Sequence, residues 1–525
     1  MNPTINRIRL SPSVVRSGIQ RLANPTICYG VLILFGIALR LRKYLFNRSL
    51  WLDEARMALN VLDRSYIGFL QPLEHNQVSP PGFMILEKAV VQILGDSEFA
   101  LRLLPLLFSV LMLILFPFFA RRFLSPAATA VSLTLLSVSD LLVEYASEVK
   151  SYSGDATITL LLLLMAMRIH DRDRTIGRTL LCGLLGAVAI WFSITAAFVL
   201  AGIAIGEFLF KVIEKRWKEL KHDLVCFAIW GLSIGLFFII IGRSSRSTFM
   251  LDYWGAHFMP IWPINTRMVD WLITAYINLF KEVGGLTIYS GSALLFLIGC
   301  VALMYENRRG LALLCFPILM ALAASAFQIY PFKERLLLFL APIILLLVAK
   351  GVDFILRGAG NYRTLMGIVV ASILIAQPLR VARWRALHPF ELEEMRPVVG
   401  FLKDNYQDGD ALYVYYGAQY AFDYYKDRLG FDGGDYTVGI RSRENPESYL
   451  DDVSRMSPSS RVWFLFSHDY FASSVKGEAG YILAHLDCIG EKVDDHRVIG
   501  ASLHLYDLSE EAASRASVEN EQCRP

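Results

Sequence analysis

The sequence predicts an α-helical polytopic membrane protein. It has about 11 transmembrane helices, interfacial amphipathic helices in the first outer loop, and a small C-terminal α/β domain on the outer face. Three observations carry this expectation. Of 525 residues, 55% are hydrophobic and only 19% charged, where a soluble domain carries roughly a quarter. Apolar runs long enough to cross a bilayer recur between residues 26 and 381. Lysine and arginine gather in alternate short loops, as positive-inside orientation requires.

The segments expected to span lie at 26–46, 98–120, 126–144, 155–170, 177–193, 195–212, 223–242, 286–304, 308–329, 335–355 and 363–381. The fifth and sixth are divided near Ser193 on length alone. The first follows Arg7, Arg9, Arg16 and Arg21 and ends in Arg40-Leu41-Arg42-Lys43. It lacks a small-residue cleavage site and reads as an uncleaved span with a cytoplasmic N-terminus. The basic loops Arg121-Arg122, Arg168 to Arg178, Lys211 to Lys221, Arg308-Arg309 and Arg357 to Arg363 then lie inside. Asp53-Glu54, Glu74, Glu144, Glu148 and the stretch 244–285 lie outside, as does the tail. The expected domains are a cytoplasmic segment 1–25, a transmembrane domain 26–386, an outer α/β domain 387–509 and a disordered tail 510–525.

Two outer segments have helical apolar spacing but are too polar or short to cross: 53–69, with Ala55, Leu59, Leu62 and Tyr66, and 80–94, with Phe83, Leu86, Val90 and Leu94. They read as amphipathic helices in the membrane interface. Past residue 387 the composition turns polar. Leu412 to Tyr416, Arg461 to Phe466 and Ala501 to Tyr506 read as strands, and Glu394 to Asn405 and Ala418 to Arg428 as helices.

The net charge of +3 is too small to imply nucleic acid. None of the seven cysteines forms a C-x-x-C pair, so neither a zinc site nor a disulfide framework is expected, although Cys488 and Cys523 could bridge in an oxidising compartment. No phosphate-binding glycine loop is present. Asp171-Arg172-Asp173 imitates a nucleotide-sugar D-x-D but lies alone in a basic loop, where a solvated turn explains it.

The candidate chemistry is acidic and lies on the outer face. Asp53-Glu54 follows the first span. An Asp there is a good N-cap and an acid in the first turn suits the helix dipole, which leaves the second carboxylate available for chemistry. Glu74-His75-Asn76-Gln77-Val78-Ser79 precedes Pro80-Pro81-Gly82, a rigid helix start. It is either a solvated loop or a set of polar groups held against a head group. Asp140, Glu144 and Glu148 recur every fourth residue, and Tyr152 extends the series, so a continuous helix would align them on one face. The aromatic loop 248–260 is expected to lie on the membrane. Lys333 and Arg335, near Tyr330, are outer-face cations and suggest an anionic partner such as a lipid phosphate. Snorkelling or pairing with Glu334 is the plainer alternative.

These motifs resemble the glycosyltransferase C superfamily of polyprenyl-phosphate-sugar transferases, in its protein mannosyltransferase and lipid A aminoarabinose transferase branch. The resemblance covers about residues 25–385. It rests on Trp51-x-Asp53-Glu54, Ser79-Pro80-Pro81-Gly82-Phe83, Glu98-x-x-x-Arg102-Leu103-x-Pro105, Glu144 to Tyr152, and Tyr330-Pro331-x-x-x-Arg335 with the run to Pro342. It implies an inverting glycosyltransferase with a polyprenyl-phosphate sugar donor and a glycan, lipid or protein hydroxyl acceptor. Asp53, with Glu54 beside it, would be the catalytic base. Glu144, Glu148, Tyr152, Glu74 and His75 would bind the acceptor or a cation. Lys333, Arg335, Lys150, Tyr330 and Ser79 would bind the donor phosphate. Ser79 stands where the family often has a charged residue, which shifts weight to the cations near residue 335. No cofactor is required, and a divalent cation is left open. The implied location is a bacterial inner membrane, with the C-terminal domain periplasmic. The alternative is a lipid or polysaccharide transporter, for which the deeper Asp140 speaks.

Overall fold

The structure is a computed structural model. It describes residues 24–170, 175–242, 248–261, 265–358, 361–389, 391–456, 458–469 and 477–519. The N-terminal arginines, Asp171-Arg172-Asp173 and Cys523 lie outside those residues. Cys488 is disulfide-bonded.

Each expected span falls on a helix. In chain order these are α1 (Pro25–Phe46), α2 (Leu52–Asp63), α3 (Pro81–Leu94), α4 (Glu98–Ala120), α5 (Pro126–Val138), α6 (Asp140–Glu144), α7 (Tyr152–His170) and α8 (Ile176–Phe192). They continue with α9 (Ala196–Ile213), α10 (Trp217–Ile240), α11 (Thr248–Trp254), α12 (Thr266–Asn278), α13 (Tyr289–Glu306), α14 (Arg308–Ala326), α15 (Ala341–Leu356) and α16 (Asn361–Leu387). Among the described residues, eight helical segments are long and apolar enough to cross a membrane, or nine if the bent α5–α6 pair is one span. The chain is therefore an integral multi-pass membrane protein. The expected number was about eleven. The helices at 155–170 and 177–193 exist but fall outside the count, and α8 is only 17 residues long.

Contacts gather the chain into two units. The first comprises residues 1–45, 65–95 and 102–388 and holds the membrane helices. Its centre is α15, preceded by a 3-10 turn (Glu334–Leu340). Apart from Glu334, Arg335, Lys350 and Asp353 the two together are apolar, and 94% of their most apolar 18 residues are buried, as a helix apolar on most sides should be. It touches α13 so closely that a Cβ on Gly351 would fall 2.1 Å from the Leu295 carbonyl. Arg40 does not end α1. Its guanidinium is buried, donating to Ser109 Oγ at 2.7 Å and to the Gly36 and Ser137 carbonyls at 3.0 Å.

The second unit comprises residues 46–64, 96–101 and 389–525. Its helices are α2, α17 (Met395–Asn405), α18 (Gln419–Leu429), α19 (Glu447–Ser454), α20 (Glu478–Ile489) and α21 (Glu510–Glu519). Its strands are β1 (Ala411–Val414), β2 (Thr437–Val438), β3 (Val462–Ser467), β4 (Glu491–Val498) and β5 (Ala501–Asp507), in the order β2-β1-β3-β5-β4. β1 is parallel to β2 and β3, and β5 is antiparallel to β3 and β4. The three strands expected from sequence are the buried ones. β4 is an edge strand with mostly exposed, charged side chains, a pattern that protects an edge and hides it from hydrophobic periodicity.

Three expectations are corrected. The helix at 53–69 ends at Asp63, and Leu52, Ala55, Met57, Ala58 and Val61 are buried within the second unit. Its apolar face is taken by protein, where a bilayer surface had been expected. The helix at 81–94 forms as expected. The tail is not disordered as far as Glu519: α21 forms and buries Ala512. The acidic series 140–152 is not one helix face. The chain bends by 57° between α5 and α6, because Ser139 takes a non-helical conformation (ψ 119°). It then passes through a 3-10 turn (Tyr145–Ser147) to an extended Glu148 before α7 begins.

Candidate active site

In the second unit, the chain leaves α1 through Asn47, whose φ of 48° suits Asn, and runs extended to Trp51. Its backbone is held by buried and half-buried side chains. Glu394 accepts from the Ser49 N–H at 3.2 Å and its hydroxyl at 2.9 Å. The Leu50 N–H donates to the Tyr425 hydroxyl at 2.8 Å and the Leu52 N–H to Glu393 at 2.9 Å. Arg396 donates to the Asn47 carbonyl at 3.1 Å and to Glu98 at 2.9 Å. Asp53 is therefore not the N-cap. Trp51 is, without a side-chain cap bond, and Glu393 bonds the first helical N–H.

Asp53 and Glu54 fall in the first turn of α2, where the dipole favours negative charge. Successive helical residues point about 100° apart, so the two part company. Glu54 is fully buried, 3.2 Å from the buried Arg48 guanidinium. Asp53 is only half-buried. Of the pair, Asp53 has the accessibility a base needs, while Glu54 is built into the support. Around them, the Trp51 and His468 rings lie 6.3 Å apart, and the Arg56 guanidinium sits 4.5 Å above the Tyr420 ring.

In the first unit, His75 and Asn76 both take left-handed backbone (φ 58° and 56°). Glu74 is largely exposed, 4.0 Å from the His75 ring. This end of the loop is solvated. Its other end is not. Gln77 accepts from Lys150 at 2.6 Å, both residues being buried. The Ser79 hydroxyl is buried without a hydrogen-bond partner. Pro80 caps and Pro81 opens α3. A Cβ on Gly82 would come within 2.8 Å of the Trp191 carbonyl, so only glycine lets α3 seat against α8.

Arg335 bonds the Tyr145 hydroxyl, with Glu148 near enough to act on it electrostatically. The Tyr145 and Tyr152 rings meet edge-on at 5.0 Å. Tyr330 neighbours Tyr152 and Asp155, and burial pushes its phenol well above its usual range. That hydroxyl therefore stays protonated, donating to the Leu336 carbonyl at 2.9 Å. The Phe332 N–H donates to the His257 carbonyl at 3.0 Å, which ties the aromatic loop after α11 to this segment.

Other candidates are engaged elsewhere. Glu144 pairs with Lys43 at 2.8 Å and Asp140 with Arg385 at 3.3 Å. Lys333 pairs with Glu334 and lies 3.3 Å from Glu282. Burial opposes its charge, but Glu334 and Glu282 outweigh this and raise its pKa. Among the described residues, no three His, Cys, Asp or Glu side chains converge as a metal site. The first unit thus gathers Tyr145, Glu148, Tyr152, Tyr330 and Arg335, with Lys150 and Gln77 buried nearby in sequence. A buried and a half-buried cation among hydroxyls suit an oxyanion. Sequence reasoning missed Arg48, Glu393, Glu394 and Tyr425. The acidic run after α16 was the one available signal.

The fold defines the class, a polytopic membrane protein. Residues 78–241 match the family model for dolichyl-phosphate-mannose-protein mannosyltransferase. The fold matches crystal structures of ArnT from Cupriavidus metallidurans, in the apo state and bound to undecaprenyl phosphate. Each is 13% identical with a TM-score of 0.51, covering 92% and 91% of this chain and 98% of theirs. It also matches the Archaeoglobus fulgidus oligosaccharyltransferase in complex with Zn and sulfate, at 12% identity and TM-score 0.50, over 91% of this chain and 73% of that one. No curated protein matches by sequence. Over residues 78–241 the chain is thus similar to the protein mannosyltransferase family, and over most of its length it shares the fold of these structures.

Proposed function

We propose that the chain transfers a sugar from a polyprenyl-phosphate donor to a hydroxyl acceptor, with inversion, at the outer face of a bacterial inner membrane. The N-terminus is then cytoplasmic and the C-terminal domain periplasmic. Asp53 takes the acceptor proton as its oxygen bonds the anomeric carbon. The bond from that carbon to the phosphate oxygen breaks, and the lipid phosphate leaves with its negative charge. Arg335 and Lys150 stabilise that charge as it develops. Glu148 and Tyr152 orient the acceptor. The acceptor is a lipid A or other cell-envelope glycan, or a protein.

The observation that carries this reading is the buried Lys150–Gln77 pair with the buried, unpartnered Ser79 hydroxyl two residues on. The Lys150 ammonium and the Ser79 hydroxyl are hydrogen-bond donors of the kind a phosphate takes, and a charge-assisted bond from the ammonium is the stronger of the two. Asp140, the feature that spoke for a transporter, is tied to Arg385, and we keep the glycosyltransferase reading.

The test is sugar transfer by the purified protein from a polyprenyl-phosphate sugar to a cell-envelope acceptor. Asp53→Asn is expected to fold normally and lose roughly 10²–10⁴-fold in rate, the usual worth of a general base. Full activity in that variant would overturn the assignment.

A further inference from the structure

The cations of the candidate site stand at the start of α7. A second cationic group stands at its other end, about 24 Å away by helical rise from Tyr152 to Arg168. There the first unit holds a cavity of about 1060 Å³, walled by α7, α8, α9 and α10. Leu162, Met165, Leu185 and Trp230 are among its apolar wall residues, and Arg122, Arg168 and Arg178 line it too. Leu161 and Leu185, both on the wall, are also about half exposed, at 42% and 51%. The space is therefore reached from the apolar surface of the bundle, where lipid chains lie.

Its charges are unequal. The acids on the wall are Glu207 and Asp223. Both are engaged by the buried Lys211, Glu207 at 3.2 Å and Asp223 more closely. The three arginines and Lys211 outnumber the two acids, so these residues together give the cavity a net positive charge. Ligand pockets hold roughly 300–1,000 Å³, so this volume admits an acyl chain as well as a head group. Basic pockets between helices at short basic loops recognise anionic lipid head groups.

We propose that this cavity is a binding site for an anionic glycerophospholipid, its phosphate at Arg122, Arg168 and Arg178 and an acyl chain between α7 and α8. By the basic-loop orientation it belongs to the opposite leaflet from the candidate active site. A lipid held there would fill a space beside the helix that carries Tyr152. The site does not depend on sugar transfer.

The test is native mass spectrometry of the full chain in detergent, titrated separately with phosphatidylglycerol, phosphatidylcholine and undecaprenyl phosphate. Phosphatidylglycerol is expected to bind most tightly. Replacing Arg168→Gln and Arg178→Gln together should weaken it roughly 30-fold, from two phosphate contacts. Ala189→Trp, which fills the apolar wall without touching the arginines, should displace it as well. Unchanged binding in a folded variant overturns the site. Tighter binding of undecaprenyl phosphate overturns the choice of lipid, and equal binding of phosphatidylcholine overturns the role of the arginines. An absence of transferase activity in the same preparation would bear on the proposed reaction alone.

Discussion

Glu393 accepts the Leu52 N–H at 2.9 Å, and this bond closes the first turn of the helix that carries Asp53. Three residues earlier, Glu394 holds Ser49 by backbone and hydroxyl. The segment before Asp53 is thus positioned by residues more than three hundred places along the chain. A loop that is short of its own capping groups takes its geometry from the domain that packs on it.

Replacing Glu393→Ala should therefore cost about 1–2 kcal/mol, the worth of a helix cap. It should also slow transfer, because Asp53 is displaced with its helix. Glu393→Gln keeps an acceptor and should be milder. Thermal unfolding in detergent reads the first effect. An unchanged midpoint for the alanine variant would mean that the cap does not hold the turn.

Asp53 and Glu54 should fail differently. Glu54→Gln leaves Arg48 as a buried charge without its carboxylate, which costs about 3–5 kcal/mol. Asp53→Asn should barely move the unfolding midpoint. If Glu54→Gln proved fully stable while losing all transfer, the roles given to the two carboxylates would have to be exchanged.

The cations should separate in the same way. Arg335→Gln and Lys150→Met are each expected to lower transfer about 10²–10³-fold, as the loss of an oxyanion-stabilising group does. Lys333→Gln should change it little, since Glu334 and Glu282 already engage that amine. A large effect at Lys333 alone would move the phosphate contact to that residue.

Glu87, on α3, is completely buried and neither carboxylate oxygen has a hydrogen-bond partner. Burial holds its pKa well above the ordinary 4.5. The folded state therefore binds the proton more tightly than the unfolded state. Its contribution to stability is fully present below pH 4.5 and is lost as the pH rises from there toward the folded value. The limiting slope is about 1.4 kcal/mol per pH unit for one proton. Glu87→Gln should remove that slope from the unfolding midpoint. An identical pH profile in wild type and variant would show that Glu87 is charged in the folded protein.

The helices were legible because long apolar runs have one stable solution in a bilayer, and the three central strands because buried strands are continuous apolar runs. The polar edge strand β4 and the bend at Ser139 were not, since neither changes hydrophobic periodicity. By itself the sequence determined a membrane bundle with a C-terminal α/β domain, and it marked Asp53, Lys150 and Arg335 as candidates for the site. Only the tertiary structure decided that Glu54 belongs to Arg48, that Lys333 is already paired, and that Glu393 caps the helix of Asp53. Hydrophobic burial is written locally, residue by residue. The pairing of buried charges depends on which distant groups meet, and that is settled only when the chain has folded.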